Sequence, residues 1–166
     1  MSVRKPWMTK RYIDMCADSF NLNMRWRPRV GDYYITEEDY YKLNYDGVKR
    51  IENESDLSEV LLNISERYWI PTLSDLIEVL VVSDAFLVQT YPNLVANLFI
   101  LEQMLEYLRK IGKDYPDFTF EEAALMFAMR CLTKDDHLQL NGWSDIDKYW
   151  IWKEKDKKGC KNGEKK

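Results

Sequence analysis

Apolar residues recur at three- and four-residue steps through the middle of the chain, and this spacing predicts helices. In DLSEVLLNISERY (56–68), Leu57, Val60, Leu61, Ile64 and Tyr68 share one face, with Asp56 as N-cap and Glu59 three residues later. In PTLSDLIEVL, Thr72 and Asp75 repeat that device ahead of a stripe of Leu73, Leu76, Ile77 and Leu80. Pro71 separates these two helices, because a proline disfavours helix at the residue before it. The longest candidate runs from Asn93 to Gly112, where Leu94, Leu98, Leu101, Leu105 and Leu108 follow a 4-3-4-3 spacing. Phe99, Met104 and Ile111 widen its stripe, Arg109 and Lys110 complement the helix dipole, and Gly112 stops it. TFEEAALMFAMRCL, opened by Thr119 and Glu122 in capping-box spacing, is apolar nearly all round and is expected at the centre of the fold. TEEDYYKLN, from Thr36, predicts one further short helix.

Strand signals are β-branched and aromatic clusters at VGDYYIT (30–36), DGVKRIE (46–52), AFLVQTY (85–91) and KYWIWKE (148–154). The expected class is α+β: a small, mostly antiparallel sheet of three or four strands with several helices packed on it. An all-helical arrangement, with 85–91 merged into the following helix, is the competing expectation. Residues 1–152 are expected to form one domain. The lysine-rich end, 153–166, has nothing apolar except Cys160 and is expected to be a flexible tail.

At 46% hydrophobic and 14% aromatic, the chain has ample material for a core and is not expected to be disordered. Cys16, Cys131 and Cys160 are odd in number and without a CxxC pair, which fits a reducing compartment. Cys131 is expected to be a small buried hydrophobe. The first twenty residues lack an apolar signal core, and charge interrupts every apolar run before a membrane span is reached, so the expected location is cytoplasmic. Charge is sharply partitioned. Residues 1–30 carry +5, residues 153–166 carry +4, and the body between them carries −13.

Motifs for catalysis are scarce. The chain has no G-x-S-x-G, no Walker loop and no G-x-G-x-x-G, and its single histidine, His137, is bunched with Asp135 and Asp136. No metal or cofactor is expected, because a metal site wants separated ligands at fixed spacing and an EF-hand loop is absent from the sequence. A carboxylate-only hydrolase is the remaining enzymatic class, since twenty-eight acidic residues allow many accidental pairs.

The stretch MRWRPRVGDYY raises a nucleic-acid alternative, in which Arg25, Arg27 and Arg29, together with the lysine-rich tail, clamp phosphates and Trp26 stacks on a base. The acidic body beyond it disfavours direct nucleic-acid binding. The preferred expectation makes this stretch the entry into the sheet, with Trp26 packed and the arginines paired to nearby carboxylates.

WRPRVGDYY, YWIPTLSDLIEVL and FTFEEAALMFAM together resemble small accessory proteins of phages and prophages of Gram-positive bacteria. The matching positions are Trp26, Pro28, Gly31, Asp32 and Tyr33, then Trp69, Ile70, Pro71 and Leu76, then Glu121, Glu122, Ala123 and Ala124. The helix at 56–68, the long helix at 93–112 and the basic tail look like additions to that plan. The resemblance implies a bacterial host and a non-enzymatic protein that occupies another protein, such as a basic, nucleic-acid-binding component of a CRISPR or restriction defence. Glu37, Glu38, Asp39, Glu52, Glu54, Asp56 and Glu59 are the candidate acidic contacts. Tyr33, Tyr34, Tyr40 and Tyr41 would add contact area, and a homo-oligomer is a further expectation.

Overall fold

Thr9 starts the fold by accepting the backbone N–H of Tyr12, capping the first helix of a computed structural model that describes residues 3–133 and 138–155. The described elements are α1 (Lys10–Ala17), α2 (Phe20–Asn23), β1 (Tyr33–Thr36), α3 (Glu37–Tyr41), β2 (Lys49–Arg50), α4 (Glu54–Leu62) and β3 (Arg67–Ile70). They continue with α5 (Leu73–Ser83), α6 (Ala85–Thr90), α7 (Asn93–Ile111), α8 (Phe120–Leu132), β4 (Leu138–Ser144) and β5 (Tyr149–Glu154). The architecture is α+β, with two small antiparallel sheets rather than one: β2-β1-β3, and the hairpin β4-β5.

Local chemistry explains most boundaries. Thr72 and Asp75, and again Thr119 and Glu122, form reciprocal capping boxes at α5 and α8. Thr36 caps α3 through the N–H of Asp39. Near residue 56 the expectation fails. The cap of α4 is Asn53, which accepts the N–H of Asp56, while the Asp56 carboxylate accepts the N–H of Glu52. That helix ends at Leu62, and Tyr68, assigned above to its face, belongs to β3. Two aromatic and branched residues in RYWI, ahead of Pro71, suit an extended edge better than a last helical turn. Residues 85–91, expected as a strand, form α6, capped by Asp84 through the N–H groups of Phe86 and Leu87. Neither α1 nor β4 was foreseen.

The buried side chains form one cluster centred on α1 and α8. Every residue of α8 from Glu122 to Met129 is buried, as its all-round apolarity predicts. Tyr12 is fully buried and its hydroxyl donates to the carbonyl of Pro71 at 2.8 Å, tying α1 to the loop after β3. The hairpin docks through Trp150, whose indole donates to Ser19 at 3.1 Å and whose backbone N–H donates to Asp18 at 2.8 Å. A bulge sits between Leu140 and Gly142. A Cβ at Gly142 would lie 2.0 Å from the Tyr115 hydroxyl, so only glycine fits there.

Helix α7 departs from expectation in its rotation. Its buried residues are Ala96, Ile100 and Met104, not the leucines. At 3.6 residues per turn, the Leu94–Leu98–Leu101–Leu105 stripe lies about 130° around the axis from that core face. Leu94 remains 71% exposed and Leu98 50% exposed. The helix has two apolar faces. The one with small Ala96 packs against α5 and α8, where close approach is needed.

Other corrections are smaller. Cys131 is at the surface, whereas Cys16 is buried. β5 carries the ordered fold through Glu154, two residues past the expected boundary. Asp135, Asp136, His137, Cys160 and the tail beyond Lys155 lie outside the described residues.

Replacing Ile100 by Ala is expected to cost about 2–5 kcal/mol in urea denaturation. Leu98→Gln, measured in dilute solution, is expected to stay within about 0.5 kcal/mol. Equal losses at both positions would show that α7 is rotated otherwise.

Candidate functional site

Gly31 has φ +103°, a conformation that favours glycine, and the turn it permits sends Asp32 back under Trp26. The buried Asp32 carboxylate then accepts the Trp26 indole N–H at 2.8 Å and the backbone N–H of Arg29 at 3.1 Å. Trp26 stacks on Trp69 of β3, with ring centroids 6.2 Å apart and planes 7° from parallel. Tyr34 pairs with Trp69 across the sheet and tilts against Trp26. The segments WRPRVGDYY and YWIPTLSDLIEVL therefore meet in one aromatic layer.

Arg29 leaves this turn to reach α5, donating to Asp75 at 2.8 Å and to Glu78 at 2.7 Å, with Asp32 3.5 Å away. That pairing was expected. Arg25 and Arg27 differ, for neither has an ion pair among the described residues. All three arginines line a cavity of about 330 Å³ with Trp69, Asp32, Asp75 and Glu78, edged by Met24, Val79 and Val82. Trp26 is buried and its donor is used, so it presents no face for a base. The nucleic-acid alternative loses its stacking platform.

Three of the acidic candidates line a second surface. Glu37, Glu38, Asp39 and Tyr41 line an open cleft of about 520 Å³ with Glu66, Lys49 and Arg67. Glu38 is paired with Lys42, Glu52 with Arg50, and Glu59 with Arg67. Asp39 accepts from Asn44 and Thr36, and Asp56 is used in the helix start. Glu54 sits exposed in the first turn of α4. The acidic side is thus interleaved with cations. Glu37, Asp39 and Glu66 are the cleft carboxylates without an ion pair among the described residues, and Asp39 is held by its hydrogen bonds from Asn44 and Thr36. Of the tyrosines, only Tyr41 is largely exposed. Tyr34 is buried beneath the Arg67 guanidinium, and Tyr33 and Tyr40 are half-buried, Tyr33 beside Arg50 and Tyr40 against Tyr68.

Sequence reasoning missed a run of exposed apolar side chains on α5, α6 and α7. α6 is held by Leu87 alone and leaves Phe86, Val88 and, just beyond its end, Tyr91 exposed, with Val82 of α5 beside them. Phe86 and Tyr91 meet edge-on at 6.1 Å. α6 packs against both α5 and α7, and α7 adds Leu94, Val95, Leu98 and Phe99. The signal was present as the leucine repeat, but a repeat does not say which way it faces.

Among the described residues, no group of three or more His, Cys, Asp and Glu could hold a metal ion, and no helix is long and apolar enough to cross a membrane. No protein-family model, curated protein or solved structure matches the chain.

The carboxylates divide by environment. Burial pushes Asp32 and Asp18 above the ordinary aspartate value of 3.8, against the N–H groups they accept, whereas the hydrogen bond from Arg11 holds Asp117 below it. The stabilising share of Asp117 is present above its unfolded value and is lost as pH falls through its depressed one. For Asp32 and Asp18 the sign reverses. Ionising them in the folded state is penalised, so their share declines as pH rises from 3.8 through their raised values. Carboxyl carbon NMR titration is expected to rank Asp117 below 3.8 and Asp32 above it, and the opposite order would refute this assignment.

Proposed function

We propose that this protein acts by binding protein rather than by transforming a substrate, and that its first occupant is a second copy of itself. The observation that carries this reading is the exposed apolar face of α5, α6 and α7. Large contiguous apolar patches are uncommon on monomers and mark interaction surfaces. Between 38% and 71% of each of the eight residues named above stays in solvent. With ~150–250 Å² available from a large aromatic and less from an aliphatic side chain, the face offers roughly 700 Å². A standard interface takes ~800 Å² from each partner. The 4-3-4 spacing of Leu94, Leu98, Leu101 and Leu105 is the knob spacing by which two helices pack along a shared seam. Such a seam is self-complementary about a two-fold axis.

The acidic cleft supports a second reading, in which the Glu37–Glu66 side takes a lysine- or arginine-bearing segment of another protein. Its setting is the phage-type accessory role, with a basic nucleic-acid-binding defence protein as the partner class. Interleaved cations weaken that reading relative to the apolar face, because the partner must displace Lys42 or Arg67 from their carboxylates.

Sedimentation across a micromolar concentration series is expected to show a monomer–dimer equilibrium that the Leu94→Glu/Leu98→Glu pair abolishes without loss of fold. A wild-type monomer at every concentration would overturn self-association. For the cleft, Glu37→Lys/Glu66→Lys is expected to eliminate salt-sensitive binding of an arginine-rich peptide. Unchanged binding would remove the second reading.

A further inference from the structure

Among the described residues, three buried side-chain polar atoms have no hydrogen-bond partner: Nε of Arg25, Nε of Arg67 and Nε1 of Trp69. A buried donor left unmatched costs about 1–3 kcal/mol, so native folds rarely keep one without a use. Two of the three belong to residues that line one cavity, the 330 Å³ pocket at the end of α2. Trp69 is 4% exposed, and its ring is held by the stack on Trp26.

The balance of donors and acceptors in this pocket is lopsided. Its carboxylates are occupied: Asp32 by Trp26 and the Arg29 backbone, Asp75 by Thr72 and Arg29, Glu78 by Arg29. Arg29 is consumed by the same contacts. What remains is two guanidinium groups without a carboxylate partner, Arg25 and Arg27, and one indole N–H. All of these are donors, and none can accept. The group that completes such a set carries negative charge, several lone pairs and little bulk. The volume lies at the lower end of small-ligand pockets, and Met24, Val79 and Val82 give it an apolar edge.

We propose that this pocket binds an oxyanion, a carboxylate or phosphate group borne on a small molecule, with Arg25 and Arg27 as its charge partners and the Trp69 ring as part of its wall. The two arginines supply charge-assisted hydrogen bonds, the stronger kind in a partly desolvated site. Arg29 pairs with Asp75 and Glu78 and lies near Asp32, which offsets part of the carboxylate charge in the pocket.

The probes are sodium acetate and sodium phosphate, each titrated against sodium chloride at constant ionic strength. The readout is the indole N–H resonance of Trp69, assigned by its disappearance in Trp69→Phe, which keeps an aromatic ring in the stack. A saturable shift with acetate alone supports a carboxylate ligand, with phosphate alone a phosphate ligand, and with both the shared oxyanion chemistry. Arg25→Gln/Arg27→Gln is expected to weaken the binding about tenfold or more. Arg27→Gln alone, at an exposed side chain, gives a weaker version of that loss should the double variant fold poorly. No saturable shift with either anion overturns the proposal. So does a shift that the arginine variants leave unchanged. Self-association is read separately by sedimentation, so failure here and failure of the apolar face are distinguishable.

Discussion

A carboxylate sealed inside a protein must find donors or unfold the structure around it, and Glu122 is that carboxylate here. It is 1% exposed, and it accepts from the Thr9 hydroxyl, from Arg11 at 3.1 Å and from the backbone N–H of Thr119 at 3.0 Å. Thr9 and Thr119 are themselves the caps of α1 and α8, so one side chain fixes the start of both central helices. Arg11 carries the constraint outward, to Asp117 at 2.7 Å in the loop before α8 and to Asp145 at 2.8 Å beyond β4, while lying over the Phe118 ring. These contacts hold Arg11 protonated and pin the hairpin to the helices. The sheet and the cavity are built against the scaffold so fixed.

A second knot, smaller and nearer the surface, organises the pocket. Asp32, positioned by the Gly31 turn, fills the Trp26 donor and leaves the Trp69 donor unfilled. The two stacked indoles thus have opposite fates. One is saturated, and the other is buried without a partner. Arg29 repeats the contrast beside Arg25 and Arg27, since it is bound into α5 while its neighbours have no carboxylate partner. The pocket is made of what local pairing did not use up.

Much of this was legible in the residues. The capping boxes at Thr72 and Thr119, the cap at Thr36, the central place of α8 and the strands at Tyr33 and Tyr149 follow from side chains within four residues of one another. The misplaced features depend on distant contacts. RYWI becomes a strand because Tyr34 and Ile35 of β1 lie beside it, and AFLVQT becomes a helix because Asp84 caps it and Leu87 anchors it. The rotation of α7 was hidden for a related reason: with two apolar faces, the choice rests on which neighbours, α5 and α8, come close. Of the candidate contacts, the arginine stretch was half right, with Trp26 packed and Arg29 paired but Arg25 and Arg27 left over. For the acidic residues, charge counting along a chain cannot show Lys42, Arg50 and Arg67 folding back among them.

The eight residues of the face on α5, α6 and α7 run from Val82 to Phe99, and within that interval only Leu87 and Ala96 are buried. Exposed apolar side chains are thus concentrated in a stretch that the interior scarcely uses. Substitutions along this short interval can change the character of the outer surface while most of the buried cluster stays as it is.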